Sequence, residues 1–173
     1  MLFGTENVEF EILQAIHSFS KSAVLDFLVP KVSWLGNGGF IWIVLCVVLL
    51  ITKKHRRCGI ALSLGLVLCL IFGNIILKNL IARPRPCWIF DVPDMLIPIP
   101  TDFSFPSGHT YSSFLSAFVL LEYNKKWGFV ALFVAAIMAF TRLYLFVHFP
   151  TDILGGVLLA AVIFLLVRKI LKK

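Results

Sequence analysis

The sequence predicts an all-α polytopic membrane bundle of about six transmembrane helices, preceded by an amphipathic helix at the N-terminus. Three observations carry that prediction. Hydrophobic residues make up 60% of the chain and charged residues only 14%, where a soluble domain holds nearer half and a quarter. Mean hydropathy is +0.95, so lipid must solvate most of the surface. Ten of the 16 basic residues stand at the ends of apolar runs: Lys53, Lys54, Arg56 and Arg57, then Lys125 and Lys126, then Arg168, Lys169, Lys172 and Lys173. The net charge of +7 is therefore read as juxtamembrane topology signals. No nucleic-acid partner is expected, because no basic groove or interleaved aromatic platform accompanies the charge. A length of 173 residues suits one membrane-embedded domain over residues 1–173.

The elements follow in order. Residues 5–19 place Val8, Ile12, Ala15, Ile16 and Phe19 at helical spacing, with Glu6, Glu9 and Gln14 between them. That pattern predicts an amphipathic helix lying in the membrane interface. The acidic start, MLFGTENVEFEILQ, lacks the basic region and small-residue cleavage site of a secretory signal. Residues 20–35 are apolar but carry Asp26, Pro30 and Lys31, which reads as a short or kinked first span. Gly36-Asn37-Gly38-Gly39 is a turn signal. The run from Phe40 to Thr52 is strongly apolar but has 13 residues, against about 20 for a span. It gains length if it extends back toward Val32 with the glycines as close-packing positions.

Gly59 to Ala82 is a clear span. The proline-rich stretch from Pro84 to Pro106 cannot be a continuous helix, since each proline removes a donor and clashes with the preceding turn. Thr110 to Tyr123, begun at Ser107, then Trp127 to Val147 and Thr151 to Val167 complete the bundle. Five spans are clear and the N-terminal one is open. Cys46, Cys58, Cys69 and Cys87 contain no CxxC pair and read as small apolar fillers, not as a disulfide framework or metal site.

Alternating helix ends puts Lys53–Arg57, Lys125–Lys126 and the C-terminal tail on one side, cytoplasmic by the positive-inside rule. Three polar segments fall on the other side: Lys78 to Pro86 (KNLIARPRP), Pro106 to His109 (PSGH) and Arg142 to Asp152 (RLYLFVHFPTD). Four basic residues there, Lys78, Arg83, Arg85 and Arg142, oppose the rule, which argues that they serve chemistry.

Each segment has a chemical reading beside a structural one. If the chain enters a helix near Pro150, His148 and Asp152 share a face. The carboxylate then fixes the imidazole tautomer and leaves the other nitrogen as a nucleophile; taken alone, the pair is equally a structural contact. Arg142 offers a bidentate grip on phosphate oxygens, or snorkels to headgroups. Lys78 and Arg85 are two cations held near each other, easiest to justify with an anion between them, while Arg83 reads as an interface anchor. Ser107 is a good N-cap, and Gly108 lets backbone amides approach a ligand at a helix start, which favours an anion. His109 in the first turn is placed to act as general acid. Asp91, Asp94 and Asp102 are scattered in the loop, so no carboxylate cluster suggests a magnesium site, and no metal or cofactor is expected.

The three segments together resemble the type-2 phosphatidic acid phosphatase superfamily of membrane lipid phosphatases. The family pattern K-x6-RP, PSGH and SR-x5-H-x3-D is matched by Lys78…Arg85-Pro86, Pro106-Ser107-Gly108-His109 and Thr141-Arg142…His148…Asp152. One departure is visible: Thr141 stands where the family has Ser. The resemblance implies a metal-independent phosphohistidine mechanism. In it His148 is the nucleophile, His109 the acid and base, Asp152 the orienter, and Lys78, Arg85, Arg142, Ser107 and Gly108 the phosphate cradle. It also implies a lipid phosphate as substrate and membrane lipids as surroundings. The short, loop-poor chain is similar to bacterial enzymes acting on undecaprenyl pyrophosphate or phosphatidylglycerophosphate. An outward-facing site in the plasma membrane suits the former, with phosphatidic acid and diacylglycerol pyrophosphate left open. A non-catalytic lipid-phosphate binder or channel is the rival of another class; it needs the cations but has no use for two histidines and an orienting carboxylate.

Overall fold

The protein, described here from a computed structural model, is seen at residues 4–92 and 94–171. Pro93 of the proline-rich stretch and Lys172 and Lys173 of the basic tail lie outside the described residues. Among the described residues every regular element is helical.

Helix α1 (Glu6–Ser20) forms where the periodicity predicts it, but with its faces exchanged. Val8, Ile12 and Phe19 point outward at 60%, 43% and 96% exposure, whereas Glu6, Glu9 and Leu13 are buried. Glu6 and Glu9 therefore face protein rather than water, while Glu11 and Gln14 stay exposed. Phe10 anchors the helix by stacking on Phe90 at 4.0 Å, within a cluster that includes Leu13, Phe146 and Phe149.

Helix α2 (Ala23–Leu35) is capped by Ser22, whose side chain accepts from Leu25 N, and carries Pro30 inside it. Its Asp26 accepts from Tyr144 Oη at 2.5 Å, which explains an acid in an apolar segment. Helix α3 (Phe40–Ile51) follows at a bend of 46°. The glycines do not extend α3 as close-packing positions: Gly38 and Gly39 take φ of 59° and 73°, a left-handed conformation that breaks the helix and favours residues lacking Cβ.

Helix α4 (Arg56–Cys69) runs through a π-helical stretch (Leu70–Leu77) into α5 (Lys78–Ile81). A single helical turn, α6 (Pro86–Ile89), interrupts the proline-rich stretch. Helices α7 (Gly108–Tyr123), α8 (Lys125–Tyr144) and α9 (Pro150–Leu171) close the bundle. Three helical stretches are long and apolar enough to cross a membrane, and α2 with α3 supplies a fourth if the bent pair is one span. The expected six are not reached on length among the described residues, because α2 and α3 count together as one bent pair and α7 has 16 residues, short of the roughly 20 of a full span.

α7 occupies the centre, packed against α8, α9 and α4. Small residues allow that: Ser112, Ser113, Ser116 and Ala117 are buried on it, letting neighbouring backbones approach. Their hydroxyls find local partners, Ser112 Oγ donating to Gly108 O at 2.9 Å and Ser116 Oγ to Ser112 O at 2.7 Å. Trp42 Nε1 donates to Ser113 Oγ at 2.9 Å in the core. Outside, Phe129, Phe133, Leu154, Leu158 and Leu165 are each more than half exposed, an apolar belt that only lipid can solvate. At one end Arg168 Nε meets Glu122 Oε1 at 3.3 Å, so α7 and α9 finish together. The opposite end gathers the three polar segments.

Candidate active site

Local sequence explains how each segment is held. At the start of α9, Phe149 is the N-cap, Pro150 the first helical residue and Asp152 the third. Asp152 Oδ2 accepts from Phe149 N at 2.7 Å, the reciprocal half of a capping box. The turn before it passes through Phe146 at φ 54° and returns Val147 N to Arg142 O at 3.2 Å. His148 is thereby fixed between the ends of α8 and α9. The PSGH segment rests on the other side of α9. A Cβ on Gly155 would lie 2.3 Å from the Phe105 ring, and one on Gly156 would lie 3.0 Å from Ser107 O. Only a glycine pair admits this approach.

His148 is 1% exposed. Arg85 Nη1 lies 3.1 Å from its Nε2. A guanidinium has donors only, so Nε2 accepts and the proton sits on Nδ1. That nitrogen faces Ser104 Oγ at 3.4 Å and Asp152 Oδ2 at 3.6 Å. Ser104 Oγ in turn donates to Asp152 Oδ2. The predicted direct His148–Asp152 bond is thus longer than a hydrogen bond, and Ser104 bridges it. Burial pushes the His148 imidazole well below its ordinary pKa, and the charges of Arg85, Arg142 and Lys78 push the same way. It is neutral at physiological pH.

The cations stand in front. Lys78 and Arg85 are both buried, and both pair with Asp102: Lys78 Nζ directly, and Arg85 Nη2 at 2.7 Å from Oδ1. The anion that the two cations call for is, in this structure, a carboxylate from the proline-rich loop. Burial alone would raise the Asp102 carboxyl, but the Lys78 hydrogen bond and the two positive charges outweigh it and hold it at about 2. Arg142 has a different situation. It is 4% exposed, Nη1 donates to Ser33 Oγ, and its Nε finds no hydrogen-bond partner among the described residues.

His109 Nε2 lies 3.0 Å from Ser33 O and 3.1 Å from Asn37 Oδ1. Both are acceptors, so this nitrogen carries the proton. A Cβ on Gly36 would meet His109 Cδ2 at 2.5 Å, which makes the α2–α3 turn part of the site.

A cavity of about 760 Å³ joins these groups. Lys78, Arg85, Gly108, His109, Arg142 and His148 line it, with Asp102. Ile43, Val47, Leu66, Val67 and Leu70 continue its wall in apolar character, as a lipid tail beside a charged headgroup requires. Two expected residues lie behind this wall. Asp152 is fully buried, and so is Ser107. Ser107 does not cap α7 through its side chain; its Oγ accepts from Thr110 Oγ1 at 3.0 Å and its N–H donates to Asp152 O at 3.1 Å. Its amide is therefore engaged, and the start of α7 offers a ligand Gly108 onward. Arg83, read from sequence as an interface anchor, is fully buried, with Nη2 at 2.5 Å from Glu9 and Nη1 at 2.7 Å from Asp152.

Sequence reasoning missed Ser33, Ser104, Asp102 and Glu9. A signal existed for the last. A chain with 9 acidic residues places one at Glu9 inside an apolar pattern, and a buried arginine needs such a partner.

The motif spacing and this clustering correspond to a known family. The family model of the PAP2 superfamily matches residues 58–173. The chain belongs to the PAP2 superfamily. An undecaprenyl-diphosphatase of Sulfolobus acidocaldarius is 31% identical to this PAP2 protein over 163 residues, covering 93% of this chain and 78% of that one. The crystal structure of Aquifex aeolicus LpxE superimposes with a TM-score of 0.81 at 27% identity, over 92% of this chain and 94% of that one. A PAP2 type phosphatidylglycerolphosphate phosphatase from Bacillus subtilis shares the fold, with a TM-score of 0.75 at 24% identity over 98% and 87% of the two chains. This PAP2 protein is accordingly a multi-pass membrane protein and a hydrolase acting on lipid phosphate. All three polar segments fall within residues 58–173, whereas α1, α2 and α3 precede them.

Proposed function

We propose that this protein removes the terminal phosphate of undecaprenyl pyrophosphate through a phosphohistidine on His148, as one domain whose site faces away from the cytoplasm. The observation that carries the mechanism is the state of His148: neutral, with Nδ1–H turned to Ser104 and Asp152 and the Nε2 lone pair turned to the cavity beside Arg85. Nε2 attacks the terminal phosphorus, and the bond from phosphorus to the bridging oxygen breaks. His109, protonated once the negative charge of the bound phosphate offsets the cations beside it, gives its Nε2 proton to the departing oxygen, which takes the place of Ser33 O and Asn37 as acceptor and leaves the imidazole neutral. Water then attacks the phosphohistidine, His109 takes its proton, and the P–N bond breaks to release phosphate. Charge on the transferring oxygens meets Lys78, Arg85, Arg142 and the amides that begin α7. Asp102 exchanges its place between Lys78 and Arg85 for the substrate phosphate.

The choice of substrate is supported by the apolar wall of the cavity and by the printed activity of the Sulfolobus relative. Metal independence is supported by the cation set; among the described residues no three His, Cys, Asp or Glu side chains gather to hold a metal ion. Sidedness is supported by the basic clusters Lys53–Arg57, Lys125–Lys126 and Arg168–Lys169, which stand at the helix ends away from the site segments.

Phosphate release from undecaprenyl pyrophosphate, phosphatidylglycerophosphate, phosphatidic acid and diacylglycerol pyrophosphate, measured in detergent with EDTA, tests the proposal. Undecaprenyl pyrophosphate is expected to be the best substrate, with activity kept in EDTA and absent in His148→Ala. Activity in that variant, or loss with EDTA, overturns the mechanism; no hydrolysis of any of the four favours the binder. For sidedness, Cys87 is partly exposed but Cys58 is buried, so Lys126→Cys serves as the opposite marker. An impermeant thiol reagent should label Cys87 from outside intact cells and Lys126→Cys only after permeabilisation.

A further inference from the structure

Glu9 belongs to a helix that precedes the three site motifs, yet it touches their deepest part. It is 4% exposed. Its Oε1 accepts from Thr151 N at 2.9 Å and Thr151 Oγ1 at 2.7 Å, and its Oε2 from Thr5 Oγ1 at 2.9 Å and Arg83 Nη2 at 2.5 Å. Arg83 spends its other terminal nitrogen on the α9 start, Nη1 donating to Asp152 Oδ1 at 2.7 Å and Thr151 Oγ1 at 2.6 Å. Its guanidinium lies over the Phe149 ring at 4.1 Å. One planar fork thus joins a carboxylate on α1 to the carboxylate behind the imidazole. Burial alone would raise the Glu9 carboxyl, but the bonds from Thr151, Arg83 and Thr5 outweigh it and hold it below the usual range.

We infer that Glu9 and Arg83 are positioning residues that set the place and charge of Asp152, and through it of His148, so that α1 is part of the catalytic scaffold. The inference rests on the phosphohistidine reading above. The physical argument is one of sharing. Arg83 divides its charge between two carboxylates. While Glu9 holds one half of the fork, Asp152 keeps negative potential for Nδ1–H and for the imidazole when it becomes positive. Without the Glu9 charge, more of the Arg83 charge bears on Asp152.

Opposite substitutions then have opposite signs. Glu9→Gln removes a negative charge behind His148, disfavours its protonation and moves the acid limb of kcat/KM to lower pH. Arg83→Met removes a positive charge and moves the same limb to higher pH. The other charged and titratable groups around His148 are unchanged in both: Lys78, Arg85, Arg142, His109 and Asp102 in front, Asp152 behind, and the buried Glu6 beside Glu9 on α1.

The test uses the full-length protein in detergent with undecaprenyl pyrophosphate. Glu9→Gln is expected to lower kcat by about tenfold or more, the range for partners that orient a reacting group, with KM little changed and the two acid limbs displaced in opposite directions. A Glu9→Gln protein with wild-type kcat overturns the inference, as does a loss of kcat with both limbs unmoved or moved together, the outcome of a merely structural contact. If Glu9→Gln does not fold, Arg83→Lys decides: it keeps the positive charge but cannot fork to both carboxylates, and an unchanged kcat with an unmoved acid limb overturns the inference. An inactive wild type, or an active His148→Ala, instead sinks the phosphohistidine reading itself.

Discussion

Arg83 and Arg142 are both buried at the same end of the bundle, and they keep opposite company. Arg83 pairs with Glu9 and Asp152. Arg142 has a serine hydroxyl on one nitrogen and an Nε without a hydrogen-bond partner among the described residues. A buried guanidinium matched by two carboxylates fixes their places and is costly to remove; one left under-matched beside a cavity has charge to spare for an anion. The same contrast divides the two sides of His148. Behind it, charge is matched and packed. In front, Lys78, Arg85 and Arg142 face the single carboxylate of Asp102.

The strongest way to break this comparison is Arg83→Ala. It strands two buried carboxylates, and about 3–5 kcal/mol of stability should be lost, read as a lowered Tm in detergent. Arg142→Ala should do the reverse, lowering kcat/KM by about 10²–10³-fold while Tm stays at or above the wild-type value. If Arg142→Ala unfolds the protein and Arg83→Ala does not, the division is wrong.

Asp102→Asn sharpens the front side. Relieved of their carboxylate, Lys78 and Arg85 should bind inorganic phosphate severalfold more tightly as a product inhibitor; weaker inhibition would show Asp102 to be a support for the cations instead of a competitor. The smallest effect concerns pH. His148 in the folded state takes a proton only well below its ordinary 6.5, while the unfolded chain takes it near 6.5. Stability should therefore fall as pH drops below about 6.5. Asp102, held at about 2, stabilises above its ordinary 3.8 and loses that contribution only as pH falls toward 2. Thermal unfolding between these limits should show a decline that His148→Gln flattens.

The front of the site was legible because its residues sit in motifs of fixed spacing at helix ends. Lys78 and Arg85 flank a proline-stiffened exit, and His148 and Asp152 fall one helical turn apart. The back was not legible. Glu9 and Arg83 are 74 residues apart, and no local pattern pairs them. The α1 periodicity was visible, yet it suggested the wrong inward face: an outward apolar stripe is favourable in lipid, and a buried acid is favourable only once an arginine meets it. Ser104 bridging Nδ1 and Asp152 was hidden for the same reason, since it approaches from a loop without regular structure.

Composition and periodicity by themselves determined that this chain is helical, lives in lipid and carries its three motif segments at helix ends opposite its basic clusters, because those outcomes depend on local hydrogen bonding and on solvation of each segment. Only the tertiary structure decided which charges neutralise each other. Pairing energy in a buried site depends on distances between segments far apart in the chain, and it matched Arg83 with two carboxylates while leaving Arg142 with a serine hydroxyl.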